Sequence, residues 1–175
     1  MDILWRDYMI EVDKKLDKWI DEEYSENVEY INKYALYNEP ISKLYRWYKK
    51  HPYEMSNIRT YLKVAEIDYK VVAFVVINYG MIDNQYVASL NPIVIDPKLM
   101  FKGLGTKILI NLFENTEEIL NTKVDVFDAG IDIDNKVSIH IFEKLGFKEI
   151  GRTEDKKFIY YQKENNQKLY LLTNG

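Results

Sequence analysis

At 175 residues, 47% of them hydrophobic, the chain fits one domain with a sizeable core. Its formal net charge of −4 argues against a nucleic-acid binder, which would normally display a basic surface. With no cysteine and only His51 and His140 as histidines, neither a disulfide framework, nor thiol catalysis, nor a histidine-rich metal site is expected.

The opening residues, Met1-Asp2-Ile3-Leu4-Trp5-Arg6-Asp7, carry no basic n-region and no long apolar run. A cytoplasmic protein without a membrane span is the expectation. Leu4, Tyr8, Val12, Leu16, Trp19 and Ile20 recur at helical spacing and predict a first amphipathic helix. Ile41, Leu44, Tyr45 and Tyr48, following Pro40, predict another. From Arg59 the pattern changes to short apolar runs at 61–67, 71–77 and 87–95 that read as strands, with a tight hairpin at Asp68-Tyr69 between the first two. Beyond a helix after residue 103 come a strand at 124–127, a helix opened by Asn135 and closed by Gly146, and a final strand pair at 147–150 and 158–162. This order predicts an α/β (α+β) fold: a mixed, mostly antiparallel central sheet of six to seven strands with helices on both faces.

One segment points to chemistry. The apolar run that ends at Ile95-Asp96-Pro97 is followed by Met100-Phe101-Lys102-Gly103-Leu104-Gly105-Thr106, and then by Leu104, Ile108, Leu109, Leu112 and Phe113 at helical spacing. A glycine-bearing turn between strand and helix offers unpaired backbone N–H groups to an anion, and the missing side chains let phosphates come close. The common nucleotide fingerprints do not fit. Ile108 stands where a dinucleotide loop has its third glycine, and no Lys-Ser/Thr pair follows a glycine at P-loop spacing.

Together with Asn135, Ser138, Phe142, Gly146 and Phe147, this turn resembles the GCN5-related N-acetyltransferase superfamily. That family's pyrophosphate loop is written Gln/Arg-x-x-Gly-x-Gly/Ala, and its second element Asn-x-x-Ala-x-x-x-Tyr-x-x-x-Gly-Phe. The resemblance covers roughly residues 60 to 163. It implies an acyl-CoA N-acyltransferase fold, with residues 1–175 as one domain: 1–57 a helical acceptor-side segment and 58–163 the acyl-CoA-binding core. It implies acetyl-CoA as co-substrate, with the pantetheine arm between two parallel strands that splay apart. Ile93, Val94 and Ile95 would offer main-chain groups to the pantetheine and the acyl carbonyl. Phe101, Lys102, Gly103, Leu104, Gly105 and Thr106 would cradle the pyrophosphate, Lys102 and Lys107 adding charge or serving only as solvated helix-end residues. Asn135, Ser138 and Phe142 would line the pantetheine side, Asn135 doubling as a plain helix cap.

Two residues depart from the pattern. Met100 takes the place of Gln or Arg, which removes one polar contact but leaves the main-chain donors. Phe142 takes the place of a tyrosine that protonates the departing thiolate in many relatives. General acid help is worth roughly 10²–10⁴-fold, yet a thiol of pKa about 8.5 leaves tolerably without it. Attack by an amine on the thioester also needs a base. Asp128, at the end of the strand after the phosphate-loop helix, is the candidate, although Phe127-Asp128-Ala129-Gly130 reads more naturally as a turn. Ser89 could position a water instead, while Tyr160 and Tyr161 are possible acids but, among 15 tyrosines, more naturally packing residues.

The acceptor is expected to be a primary amine of a small molecule or peptide, taken directly in a ternary complex with no nucleic acid and no membrane, by a monomer or homodimer. The acidic run from Asp21 to Tyr30 could draw a cationic amine or be a solvated helix end. The aromatic stretch from Tyr45 to Tyr53 could line an acceptor pocket or pack helix on sheet. The alternative function is a non-catalytic acyl-CoA-binding sensor or interaction module of the same fold, supported by Phe142 and Met100.

Overall fold

The computed structural model describes residues 2–51 and 58–166. Seven strands form one sheet in the order β1-β2-β3-β4-β5-β7-β6: β1 Leu4–Asp7, β2 Ile58–Ile67, β3 Lys70–Ile82, β4 Gln85–Ile95, β5 Val126–Asp132, β6 Lys148–Arg152 and β7 Phe158–Glu164. Neighbours pair antiparallel except β4 and β5, which run parallel. Two hairpins build the antiparallel half. Asp68 and Tyr69 (φ 48° and 62°), then Asp83 and Asn84 (φ 49° and 63°), sit left-handed at both central positions, the turn geometry that matches the twist of flanking strands.

The first segment differs from the expected helix. Leu4–Asp7 is an edge strand paired with β2, and only after it come a short helix α1, Ile10–Asp13, and a 3-10 turn, Lys14–Ile20. Leu4 is 60% exposed, so the apolar spacing that starts there is carried by a strand residue. Arg6 on this strand makes the junction, donating to both carboxylate oxygens of the buried Asp13 at 2.7 and 2.8 Å. Next come α2, Val28–Ile31, continued as a π-helical turn over Asn32–Leu36, and α3, Ile41–Lys50, entered from Pro40.

The helices divide between the two faces because the strands alternate. On β3, Phe74 and Val76 meet Leu16, Trp19, Ile31 and Ile41 of the N-terminal helical segments, whereas Val75 and Ile77 meet the other layer. That layer is α4, Leu104–Leu120, and α5, Lys136–Lys144, whose Leu109, Leu112, Phe113 and Phe142 pack with Ala88, Phe127 and Ala129. Burial on both faces explains why β3 reads as an unbroken apolar run. Among the described residues no helix is long and apolar enough to cross a membrane.

Candidate active site

Strands β4 and β5 pair only from Val87↔Val126 to Leu90↔Ala129. Beyond that rung they part, and the cause lies in β4. Val75 pairs with Ile93 but Ile77 with Leu90, so β4 carries one extra residue at Asn91-Pro92, a bulge joined by a cis peptide bond. A bulge bends the strand that carries it. β5 meanwhile stays on β7 as far as Asp132↔Phe158. The β5-side edge of Ile93, Val94 and Ile95 is therefore not taken up by β5.

The glycine turn closes one end of this gap. Asp96 accepts from Lys98 N–H at 3.0 Å and starts a short 3-10 turn, Pro97–Leu99. Phe101 (φ 58°) and Gly103 (φ 80°) are left-handed, and the second reverses the chain into α4. No side chain caps α4, so the N–H groups of its first turn, at Leu104, Gly105 and Thr106, have no intrahelical acceptor and face outward with the positive end of the helix dipole. A Cβ on Gly105 would stand 3.5 Å from Ile95 Cγ1. Lys102 donates to Lys98 C=O at 2.9 Å, tying the turn to itself. Met100 packs against the N-terminal helical cluster and also faces the gap, an apolar side chain where the resembled loop pattern has Gln or Arg.

Two hollows meet in the gap. The inner one, about 760 Å³ including open solvent, runs from Gly103, Gly105 and Thr106 past Ile93 to Ile95 toward Ser138 and Phe142. The outer one, about 710 Å³ on the same basis, is lined by Leu90, Asn91, Pro92 and Asp132 together with Tyr34 and Tyr37 from the N-terminal segment. Asn135 caps α5, its Oδ1 accepting from Ser138 N–H at 3.2 Å and from the Tyr30 hydroxyl at 2.5 Å. Phe142 lines both hollows, while its ring belongs to a buried aromatic group with Phe113 and Phe147.

Asp128 lies elsewhere than expected. It is an interior residue of β5, neither a strand end nor a turn, opposite Ser89 on β4 and Gln162 on β7. It lines neither hollow, because its rung is still paired with Ser89 one step before the opening; by strand alternation it shares a face with Asp132, which does line the outer one. The register carries this polar row across the sheet: Thr60, Asn78, Ser89, Asp128 and Gln162 are successive partners. Burial pushes the Asp128 carboxyl above the ordinary aspartate range, and the hydrogen bond with Ser89 partly offsets this. Tyr161 is buried, donates to Glu143 Oε1 at 3.0 Å and is pushed up to about 12, chiefly by burial. It is a packing residue. Tyr160 is exposed and lines neither hollow.

The acceptor-side expectations fare unevenly. No carboxylate of the 21–30 run lines either hollow. Tyr45 packs on Tyr8 with ring centroids 5.1 Å apart, Trp47 stacks on His51 at the surface, and Pro52 and Tyr53 fall outside the described residues. Tyr34, Tyr37 and Asp132, which do line the outer hollow, carry no motif. Among the described residues no group of three or more histidine, cysteine or acidic side chains could hold a metal.

A mixed sheet that opens between two parallel strands above an uncapped glycine turn defines the acyl-CoA N-acyltransferase fold. The chain belongs to the acetyltransferase (GNAT) family, whose model matches residues 11–147. It is 27% identical over 122 residues to an uncharacterized N-acetyltransferase of Methanocaldococcus jannaschii, a match covering 61% of this chain; the chain spans about half the length (53%) of that relative. Spermidine N-acetyltransferase of Vibrio cholerae in complex with CoA and spermine superposes with a TM-score of 0.66 at 16% identity, covering 95% of this chain and 98% of the other. The ribosomal-protein-S18-alanine N-acetyltransferase of Escherichia coli gives 0.57 at 17% identity, covering 93% and 94%. At these identities the likeness to the two solved structures is one of fold.

Proposed function

We propose that this protein is an N-acetyltransferase that moves the acetyl group of acetyl-CoA directly to a primary amine of a small molecule or peptide while both are bound. The observation that carries the reading is the opening of the sheet past Leu90 and Ala129 into two hollows that meet. One runs to main-chain donors suited to a diphosphate. The other is walled by tyrosines and one carboxylate, Asp132, a lining suited to an ammonium group and its carbon chain. Thioester and amine would enter from different sides and meet in the gap, which serves proximity without a covalent enzyme intermediate.

In this reading Ile93, Val94 and Ile95 hold the pantetheine amides along the free strand edge, and residues 101–106 hold the diphosphate. Asn135, Ser138 and Phe142 flank the arm. Asp132 binds the incoming cation. Asp128, one rung below the opening, takes the proton of the amine through water, its raised carboxyl pKa bringing it closer to the strength a base needs near neutral pH. Purified protein incubated with acetyl-CoA and a panel of primary amines, with free thiol followed, tests the proposal. Acceptor-dependent thiol release is expected. Tight binding of acetyl-CoA with no turnover on any amine would favour the second reading, a sensor of the same fold, to which Phe142 lends support because its ring has no proton to give.

A further inference from the structure

Five residues line both hollows: Tyr30, Ala35, Ile93, Ser138 and Phe142. They mark where a thioester reaching through the gap would place its sulfur. When the C–S bond breaks, the sulfur keeps the electron pair and must collect a proton. Only two of the five carry one on a heteroatom of the side chain, Tyr30 and Ser138, and an aliphatic hydroxyl is too weak an acid to serve. We propose that Tyr30, from the N-terminal helical segment, is the general acid that protonates the departing thiolate in place of the absent hydroxyl at Phe142.

The position of the phenol is fixed from three sides. Its oxygen donates to Asn135 Oδ1 at 2.5 Å and lies 3.5 Å from Ser138 Oγ, and Ser138 stands one helical turn before Phe142 on the same face of α5. Its ring meets Phe101 of the glycine turn edge-on and Tyr34, with centroids 5.2 and 5.0 Å apart. One side chain thus touches the turn, the start of α5 and the gap between them. Burial raises the pKa of the hydroxyl, and hydrogen bonds with Ser138 and Asn135 partly offset the rise, so the proton is present at neutral pH. The titratable groups facing it are Tyr34, one turn on, and Tyr37 and Asp132 in the outer hollow. Turning the O–H about its C–O bond aims the proton from Asn135 into the gap.

The step balances without another reagent. The amine nitrogen forms a bond to the acyl carbon, and the C–S pair leaves on sulfur. Tyr30 Oη gives its proton to that sulfur, and the proton that the nitrogen loses to Asp128 through water passes on to the phenolate, restoring both groups. Amide and free thiol are the products.

This inference rests on the acetyl-transfer reading, and the test separates the two. If wild-type protein turns over no amine, the reading itself fails. Given turnover, Tyr30→Phe, which keeps the ring and its contacts, is expected to lower kcat by about 10²-fold or more, with CoA affinity unchanged by calorimetry. It is also expected to abolish the fall of kcat at alkaline pH that titration of the acid produces in the wild type. Phe142→Tyr in the Tyr30→Phe background returns a hydroxyl to the gap and is expected to recover part of the rate, although the tether to Asn135 stays broken. A Tyr30→Phe variant that keeps the wild-type kcat would overturn the assignment. So would one that loses rate yet retains the alkaline limb, since Tyr30 would then be only a tether for α5.

Discussion

Gly105 lets the phosphate cradle be separated from the stability of the fold. It is the second residue of α4, and a Cβ there meets only Ile95 side-chain carbons, at 3.5 and 4.0 Å, ordinary contact distances. Gly105→Ala is therefore expected to stabilise the helix by about 0.5–1 kcal/mol, raising Tm by about 1–4 °C for a chain of this size. In Gly105→Glu the carboxylate projects toward the first-turn N–H groups that would hold the diphosphate. Two unit charges 4 Å apart repel by about 4 kcal/mol at an effective dielectric of 20. Solvent and salt reduce this, and about 2–4 kcal/mol corresponds to a 30- to 1,000-fold rise in Kd. Calorimetric titration with CoA, paired with thermal melts, reads both quantities. The expected pattern is a Glu variant that melts near the wild type yet binds CoA far more weakly, and more so at low salt. Undiminished affinity in a folded Gly105→Glu protein would refute the placement of the phosphates.

Three further substitutions have distinct expected outcomes. Asp128→Asn is expected to slow acetyl transfer by about 10²-fold or more and remove the acid limb of the kcat profile, which in the wild type lies above the ordinary aspartate pKa of 3.8. Because folding raises that pKa, ionisation costs the folded state as pH climbs through it, so the same variant should melt higher at neutral pH. Arg6→Ala strands the fully buried Asp13 and should destabilise the fold by about 3 kcal/mol in urea titrations, the low end for a broken buried pair because Arg6 itself reaches solvent. Burial opposes the Asp13 charge, but Arg6 and the Met9 N–H outweigh it and hold its pKa below 3.8. The stabilisation from this carboxylate is thus present above that value and lost as pH falls through the lower, folded one, a loss that melts in acid should display in the wild type and not in Arg6→Ala. Asn135→Ala removes a cap worth about 1 kcal/mol and frees Tyr30, so a Tm lower by about 2–4 °C should accompany a fall in kcat.

The parts of the fold legible in the sequence are those governed by local rules. Asp68-Tyr69 turns the chain, Asn135 and Gly146 bound α5, and the Gly103-Leu104-Gly105 step marks the start of α4, each because its own backbone needs decide the matter. Leu4–Asp7 imitates a helix because four residues of an edge strand continue the apolar spacing of the helical residues after them, and only pairing with β2 distinguishes the two. Asp128 resembles a turn residue because Asp-Ala-Gly is turn-like, whereas pairing on both sides holds it extended. The outer hollow is illegible for a different reason. Tyr34 and Tyr37 lie about a hundred residues from Asp132 in the chain, and the three are brought together by packing of a segment without a motif. Tyr30 is visible only as the last residue of an acidic run, and its meaning depends on Asn135, 105 positions away.

The most direct measurement is the structure of the protein crystallised with CoA. Phosphate oxygens should lie within about 3 Å of the main-chain nitrogens of Leu104, Gly105 and Thr106, with the pantetheine arm along Ile93 to Ile95 and its sulfur beside Tyr30. A diphosphate bound away from that turn, or a gap between β4 and β5 left empty at saturating CoA, would contradict the central claim.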